Sequence, residues 1–433
     1  MYFSPLSKAV YTSLVALLLA NTTTHAEKNA FNTESPWMLG DWNGKRTELQ
    51  EKGYDFNFAY GGQFATLLDS SKIDSSHGAE YSDQIVLGAH LDLEKIAGWK
   101  DTEAQINITK RMGDSLSRTS DALQGHQTAA QEVWGRGQTW RLTDFWIKKK
   151  FFDQKLDVKI GRMGEGEDFN SFECNFSNLS LCGSQIGDYV GDQWYNWPVS
   201  VWAARFKYNW TPEFYTQIGV YEYNPENIDN RGKGFNMSFD GGKGVILPIE
   251  AVWQPKFGQN KLPGEYRLGY YYSTANVEQI ENPDKKGNKQ GGWLVANQQF
   301  TTHHGDASRG LSGFMNLAFM DGKTNKITDM QNIGLRYVGL MDARPKDDLA
   351  IGVSRINVGN DVNQYNIQQD QLGITPLDYR GLQSEEINVE VYYGIHFANW
   401  LTVRPNIQYV NHVGGYRQGN DAWVGGIKFN TAF

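Results

Sequence analysis

From Tyr54 to Phe433 the apolar residues recur at every second position, in runs of about ten residues separated by polar connections. In one run Trp202, Ala204, Phe206, Tyr208 and Trp210 fall on one side, and Ala203, Arg205, Lys207 and Asn209 on the other. Another sets Tyr266, Leu268, Tyr270 and Tyr272 against Arg267, Gly269, Tyr271 and Ser273. The chain ends on the same alternation, with Trp423, Gly425, Ile427, Phe429, Thr431 and Phe433 against Val424, Gly426, Lys428, Asn430 and Ala432. A period of two marks extended strands with unlike faces. Here one face suits hydrocarbon and the other suits water.

The pattern predicts strands over 54–64, 82–94, 102–112, 138–149, 155–163, 199–209, 213–223 and 245–256. Eight more follow, over 263–274, 290–301, 308–320, 329–340, 347–357, 384–397, 400–411 and 421–433, sixteen in all. The connections at 150–154, 210–212 and 398–399 are tight, whereas those at 113–137, 164–198, 224–244 and 358–383 are long and rich in Gly, Asn and Asp. In hydrocarbon every backbone amide needs a partner within the protein, so strands cross only when their sheet closes and leaves no edge. Short turns on one side and long loops on the other accompany such closure. The expected fold is all-β: a transmembrane antiparallel β-barrel of 16 strands over 54–433, with long loops folded inward and a short helical segment at 27–53 on the periplasmic side. A soluble sandwich or propeller would carry polar residues where this chain carries Tyr, Phe and Leu. Trp99, Trp146, Trp210, Trp253, Trp400 and Trp423 lie near strand ends, where an interfacial aromatic girdle would sit.

Composition narrows the reading further. The 433 residues include 46 Gly, 22 Phe, 22 Tyr and 14 Trp, with a mean hydropathy of −0.55. After residue 26 no stretch approaches the ~20 consecutive apolar residues of a spanning helix. Residues 1–26 themselves, with Lys8, the apolar run Ala9–Ala20 and Thr24-His25-Ala26, read as a secretory signal peptide. A net charge of −8 argues against binding nucleic acid by neutralising phosphates. The two cysteines, Cys174 and Cys182, lie in the exported part, where a disulfide closing a short loop is expected. Their spacing fits no zinc pattern, and the pair His303-His304 in an expected turn reads as solvated rather than metal-binding. No metal or cofactor is expected, nor any catalytic site. Glu165, Glu167 and Asp168 could imitate a glycosidase pair, but spacing along a loop says nothing of the separation such a pair needs.

Several stretches resemble the OprB-type carbohydrate-selective porins: Asp41 to Gly53 (DWNGKRTELQEKG), Leu91 to Trp99 (LDLEKIAGW), and above all Cys174 through Arg205, with CGSQ at 182–185, GDQWYNWP at 191–198 and VWAAR at 201–205. Arg404 to Val410 (RPNIQYV) and the terminal Phe433 extend the likeness along the mature chain. The resemblance implies a sixteen-stranded outer-membrane barrel that admits glucose and other sugars, with long loops folded inward to narrow the pore.

The residues themselves support a pore of this kind. Sixteen strands enclose an aqueous channel, so loops must narrow it. The loop 164–198, carrying Glu165, Glu167, Asp168, Asp188, Asp192, Trp194 and Trp197, is the expected constriction, with Arg162 at its start. Parity points Arg111, Lys159, Arg205, Lys207, Arg267, Arg336, Arg404 and Lys428 inward, together with Asp55, Asp92, Asp144, Asp157 and Glu390. A lumen of mixed sign favours a neutral polyol over an anion. The expected pore-lining set is thus Arg111, Arg162, Glu165, Asp168, Asp192, Trp194, Trp197, Arg205, Lys207, Arg267 and Arg336. The same barrel tuned to another small solute, such as an organic acid, and a barrel-embedded hydrolase are the alternatives. The expected partners are permeating sugars, outer-membrane lipid and lipopolysaccharide, the last through carboxylates on the loops 64–81 and 113–137 bridging divalent cations. Whether one barrel works alone or three associate is left open.

Overall fold

The computed structural model describes residues 29–71, 78–191, 193–229, 231–374 and 381–433, so the expected signal peptide lies outside them. Period-two segments become strands: β1 (Tyr54–Ser70), β2 (Ala79–Asp92), β3 (Thr102–Gly113), β4 (Trp140–Phe151), β5 (Leu156–Met163), β6 (Val201–Thr211), β7 (Phe214–Tyr223) and β8 (Gly244–Trp253). After the two-residue β9 (Lys256–Phe257) come β10 (Leu262–Glu278), β11 (Lys286–Gln299), β12 (Gly310–Met320), β13 (Ile327–Val338) and β14 (Asp348–Val358), then β15 (Glu385–Ala398), β16 (Leu401–Asn411) and β17 (Ala422–Ala432). Each long strand pairs antiparallel with the next, β10 takes up β8, and β17 returns to β1 with Ala59 opposite Ala432. The sixteen long strands therefore form one closed sheet, as the alternation predicts. β1 and β10 run past their expected ends at 64 and 274, to Ser70 and Glu278.

The two faces sort by chemistry. Phe206 is 41% exposed and its neighbour Arg205 only 5%; Leu268 is 64% exposed and Arg267 only 7%. Outward Leu, Ile, Val, Phe and Tyr remain open to the surrounding medium because hydrocarbon, not a second protein layer, is their partner. The girdle expectation holds for Trp210, Trp253 and Trp423, each exposed near a strand end. Trp146 is a correction. It shares the parity of Asp144, faces inward, donates from Nε1 to Asp144 Oδ1 (3.2 Å), and lies under Lys159 Nζ at 5.3 Å. Trp400 sits in the turn between β15 and β16, donating from Nε1 to Asn32 O (2.9 Å).

Residues 29–53 cover the seam where the barrel closes. Arg46, in the helix Lys45–Glu51, donates to Phe433 O (2.7 Å) and Phe56 O (2.6 Å), and its guanidinium lies 4.0 Å from the Trp37 ring and 4.9 Å from that of Trp42. Met38 N donates to Ala432 O (2.8 Å). One cation thus ties the first strand to the last residue of the chain.

Placing a charge on the hydrocarbon face has a clear expected outcome. Phe206→Arg near mid-membrane costs about 2–4 kcal/mol, seen as a lower unfolding midpoint and a smaller heat-modifiable fraction on gels, whereas Phe206→Leu leaves both near the parent.

Candidate functional site: a filter folded into the barrel

At Met163 the chain leaves β5 and enters the lumen. A Cβ on Gly164 would lie 2.9 Å from the carbonyl oxygens of Tyr195 and Val199, so only glycine lets the two limbs of the loop come this close. The loop then crosses the barrel interior, and its backbone polar groups need partners there just as strands in lipid do. The wall supplies them. Asn170 N donates to Glu250 Oε1 on β8 (3.0 Å). Ser177 N and Asn178 N donate to the Glu390 carboxylate on β15 (2.9 and 2.7 Å). Lys428 on β17 donates to Phe176 O (2.8 Å), Asn332 on β13 to Ser180 O (3.0 Å), and Gln217 on β7 to Asp168 O (2.6 Å). Ser180 and Ser354 on β14 bond through their hydroxyls at 2.5 Å. Within the loop, Asn170 adopts φ +48° and its Oδ1 accepts from Ser184 Oγ, Gln185 N and Ile186 N, closing the loop on itself. Cys174 and Cys182 form a disulfide, with Cα atoms 4.1 Å apart.

The apolar side of the loop makes a core. Phe169, Ile186, Val190, Trp194 and Tyr195 pack against Tyr221, Tyr271 and Trp293 of the wall, all at most 2% exposed. Trp194 meets Tyr271 and Trp293 edge-on with ring centroids 5.6 Å apart in each case. Such packing lets the loop persist inside an otherwise wet channel.

The expected pore-lining residues separate into groups. Asp168 lies between Lys159 Nζ (2.5 Å) and Arg205 Nε (3.6 Å), and Arg205 also binds Asp157 Oδ1 (2.9 Å). Burial raises the Asp168 pKa, but Lys159 and Arg205 outweigh it and hold the carboxyl down at about 2. Arg267 binds Glu250 (3.1 Å) and Glu265 (2.8 Å), and Arg336 binds Asp348 (2.8 Å) while reaching Glu173 on the loop (3.5 Å). Lys207 Nζ stands 3.9 Å from the Tyr215 ring centroid. Trp197 Nε1 donates to Gln84 Oε1 (3.0 Å). Asp192 lies outside the described residues.

Three of the expected lining residues are covered by the loop itself. Arg162, 1% exposed, binds Ser200 through Oγ and carbonyl oxygen at the base of the loop. Glu165 is fully buried, accepts from Tyr195 N (2.9 Å), and burial pushes its carboxyl well above the usual range. Trp194 belongs to the core just described. Parity identifies inward residues but not which of them a second layer hides. Arg111, 6% exposed, acts on a different loop, donating to Gln84 Oε1 and to the carbonyls of Glu132 and Trp134.

That second loop, 114–139, also turns into the lumen. Its carboxylate Glu132 reaches inside to Lys428 Nζ (2.9 Å) and accepts from Gln63 Nε2 (3.1 Å). Gln131 donates to Gln63 O and Ser82 Oγ, and His126 meets Asn388 Oδ1 (2.9 Å). The two inward loops pair directly, Glu132 N to Ser177 O and Leu179 N to Ala129 O, both 2.9 Å. Buried acids and amides on lumen faces, such as Gln63, Glu386 and Glu390, are the signal in the sequence that more than one loop docks there. At the turn side, His303 is held by Tyr337 Oη (2.9 Å) and Asp342 (3.1 Å).

The side of the filter left uncovered is chemically distinct. Phe172, Glu173 and Asn175 of the loop, with Asn297, Phe314 and Arg336 of the wall, line a hollow. Phe172 and Phe314 meet edge-to-face at 5.5 Å, and the Glu173 side chain is 61% exposed. None of Phe172, Glu173, Asn175, Asn297 and Phe314 was singled out by parity, because a loop has none and the amide and the ring on the wall carry no charge. Apolar rings beside amides and an ion pair offer stacking together with both donors and acceptors.

Comparison with known proteins agrees with this architecture. Residues 76–433 match the model of the carbohydrate-selective porin, OprB family. The chain is 52% identical over 440 residues to Porin B of Pseudomonas aeruginosa, covering 97% of this chain and 96% of that protein. The high-pH structure of Pseudomonas putida OprB superposes with a TM-score of 0.90 at 51% identity, covering 94% of this chain and 100% of that one. OmpF of Salmonella typhi, at 11% identity and a TM-score of 0.51, shares the fold alone. A closed sixteen-stranded wall, a loop-built filter and these relatives together place the chain in the OprB family of carbohydrate-selective porins, outer-membrane channels through which sugars pass.

Proposed function

We propose that neutral monosaccharides of the glucose type cross at the hollow between the filter loop and strands β11 to β13, with Phe172 and Phe314 covering an apolar sugar face and Glu173, Arg336, Asn175 and Asn297 bonding its hydroxyls. The observation that carries this reading is the charge pairing around the lumen: Lys159, Arg205, Arg267 and Arg336 each have a carboxylate within 3.1 Å. Paired charges leave little net field to concentrate an anion, yet keep donors and acceptors for a polyol. Weak binding suits conduction. A millimolar site corresponds to about −4.1 kcal/mol, and hydrogen bonds to charged groups contribute roughly 1.5–3 kcal/mol each, so one ring and two or three such bonds suffice. A second reading, an organic acid as solute, has one observation in its favour: among the described residues Lys207 faces the Tyr215 ring and forms no ion pair.

Planar-bilayer conductance separates the two. Glucose added to both chambers reduces the ion current in the expected case, and succinate does not. A current insensitive to glucose but blocked by succinate overturns the sugar reading. Phe172→Ala and Glu173→Gln each raise the half-blocking glucose concentration by about tenfold or less, the effect of losing up to ~1.4 kcal/mol, without altering heat-modifiability.

The filter depends on its anchors. Glu390→Ala leaves two buried backbone N–H groups without an acceptor, at about 1–3 kcal/mol each. The expected outcome is a larger unit conductance and weaker glucose block from a barrel that still runs as folded on gels. Reduction of the Cys174–Cys182 bond should act in the same direction and more weakly; loss of the folded band on reduction would show that the bond supports the wall rather than the loop.

A further inference from the structure

The turn of the chain into the lumen leaves a mark on the outside of the barrel. β5 has only 8 residues, and its pairing with β4 ends at Phe145 opposite Arg162. Trp140 to Asp144 of β4 therefore stand beyond the end of their neighbour, at the long-loop rim. The loop 224–243 fills the notch: Leu142 N donates to Gly234 O (2.8 Å), and the Arg141 guanidinium binds Asn227 O and Ile228 O. From Gly234 the loop continues along the outer surface to β6, where Trp202 Nε1 donates to Met237 O (3.2 Å) and the Trp202 ring stacks on Phe239 at 5.7 Å.

Along this segment the alternation of the wall is repeated by residues that belong to no strand. Asn236 turns in and donates to Asn227 Oδ1 (3.0 Å), while Phe235, Met237 and Phe239 point out and are 48%, 44% and 67% exposed. The ledge they form is continuous with the lipid face, since Trp202 shares the outward parity of Phe206, and Trp140, 39% exposed, lies against Gly234 where the ledge begins. A cation borders it. Lys110 of β3 is the register partner of Trp140, and its Nζ stands 5.5 Å from the Trp140 ring centroid. Among the described residues no carboxylate forms an ion pair with Lys110.

We propose that this ledge holds one phosphorylated, multiply acylated glycolipid of the outer leaflet, with acyl chains on Phe235, Met237, Phe239 and Trp202 and a phosphate on Lys110. Two observations select that occupant. The ledge continues a surface already in contact with hydrocarbon, and the cation sits at its rim, where a phosphate headgroup meets the acyl region and strengthens a bond to an ammonium. The site uses none of the filter residues.

Native mass spectrometry of the intact barrel in a zwitterionic detergent tests it, with purified lipid A as the probe and lipid A stripped of phosphate as the comparison. The expected result is one retained lipid A per barrel, binding about tenfold more weakly to Lys110→Gln and to Phe239→Ser and restored in Lys110→Arg, with heat-modifiability and glucose block unchanged. Equal retention of the dephosphorylated lipid, or of lipid A by Lys110→Gln, overturns the proposal. So does loss of an oligomer in place of lipid, which would make the ledge a contact between copies of the chain. Should Phe239→Ser fail to fold, Lys110→Gln and Lys110→Arg decide the matter alone.

Discussion

A backbone amide taken out of water must be given another partner, and this protein meets that demand twice. In the wall it is met by closure, strand against strand, with no edge left over. Inside, the chain that enters at Gly164 has no strand to pair with, so side chains on the wall take the place of a neighbouring backbone. Glu390 accepts two consecutive amides and Glu250 a third, while Lys428, Asn332 and Gln217 answer the carbonyls. These five wall residues are polar and inward because the loop backbone needs them.

The same demand shapes the electrostatics. Acids placed to receive the loop sit among basic residues, and the resulting pairs, such as Glu250 with Arg267, cancel one another's long-range field. A channel made in this way keeps a dense set of donors and acceptors without becoming strongly selective for either sign of charge. The uncovered edge, where Phe172 and Phe314 meet Glu173 and Arg336, combines aromatic rings with donors and acceptors.

The wall was legible in the sequence because its rule is local: a residue and its neighbour must suit opposite media, which is why the alternation separates Phe206 from Arg205 and places Lys428 inside. Loop packing obeys no such local rule. Arg162, Glu165 and Trp194 have the composition of lining residues, yet the loop folds over them, and whether it does so depends on partners as distant as Trp293 and Tyr195. The contacts that hold 114–139 inside are of the same distant kind, since Gln63 and Lys428, which both bind Glu132, belong to opposite ends of the chain. The aromatic girdle is smaller than the tryptophan positions suggest, because position near a strand end says nothing of the face, and Trp146 has the face of Asp144.

The attachment of Phe176 to Lys428 on β17 has a bearing on closure. The filter segment lies between β5 and β6, with less than half of the wall before it in the chain, and some of its docking points are on β17, which closes the barrel against β1. The filter is fully seated only when β17 is in place, so closure of the wall and completion of the filter depend on the same strand.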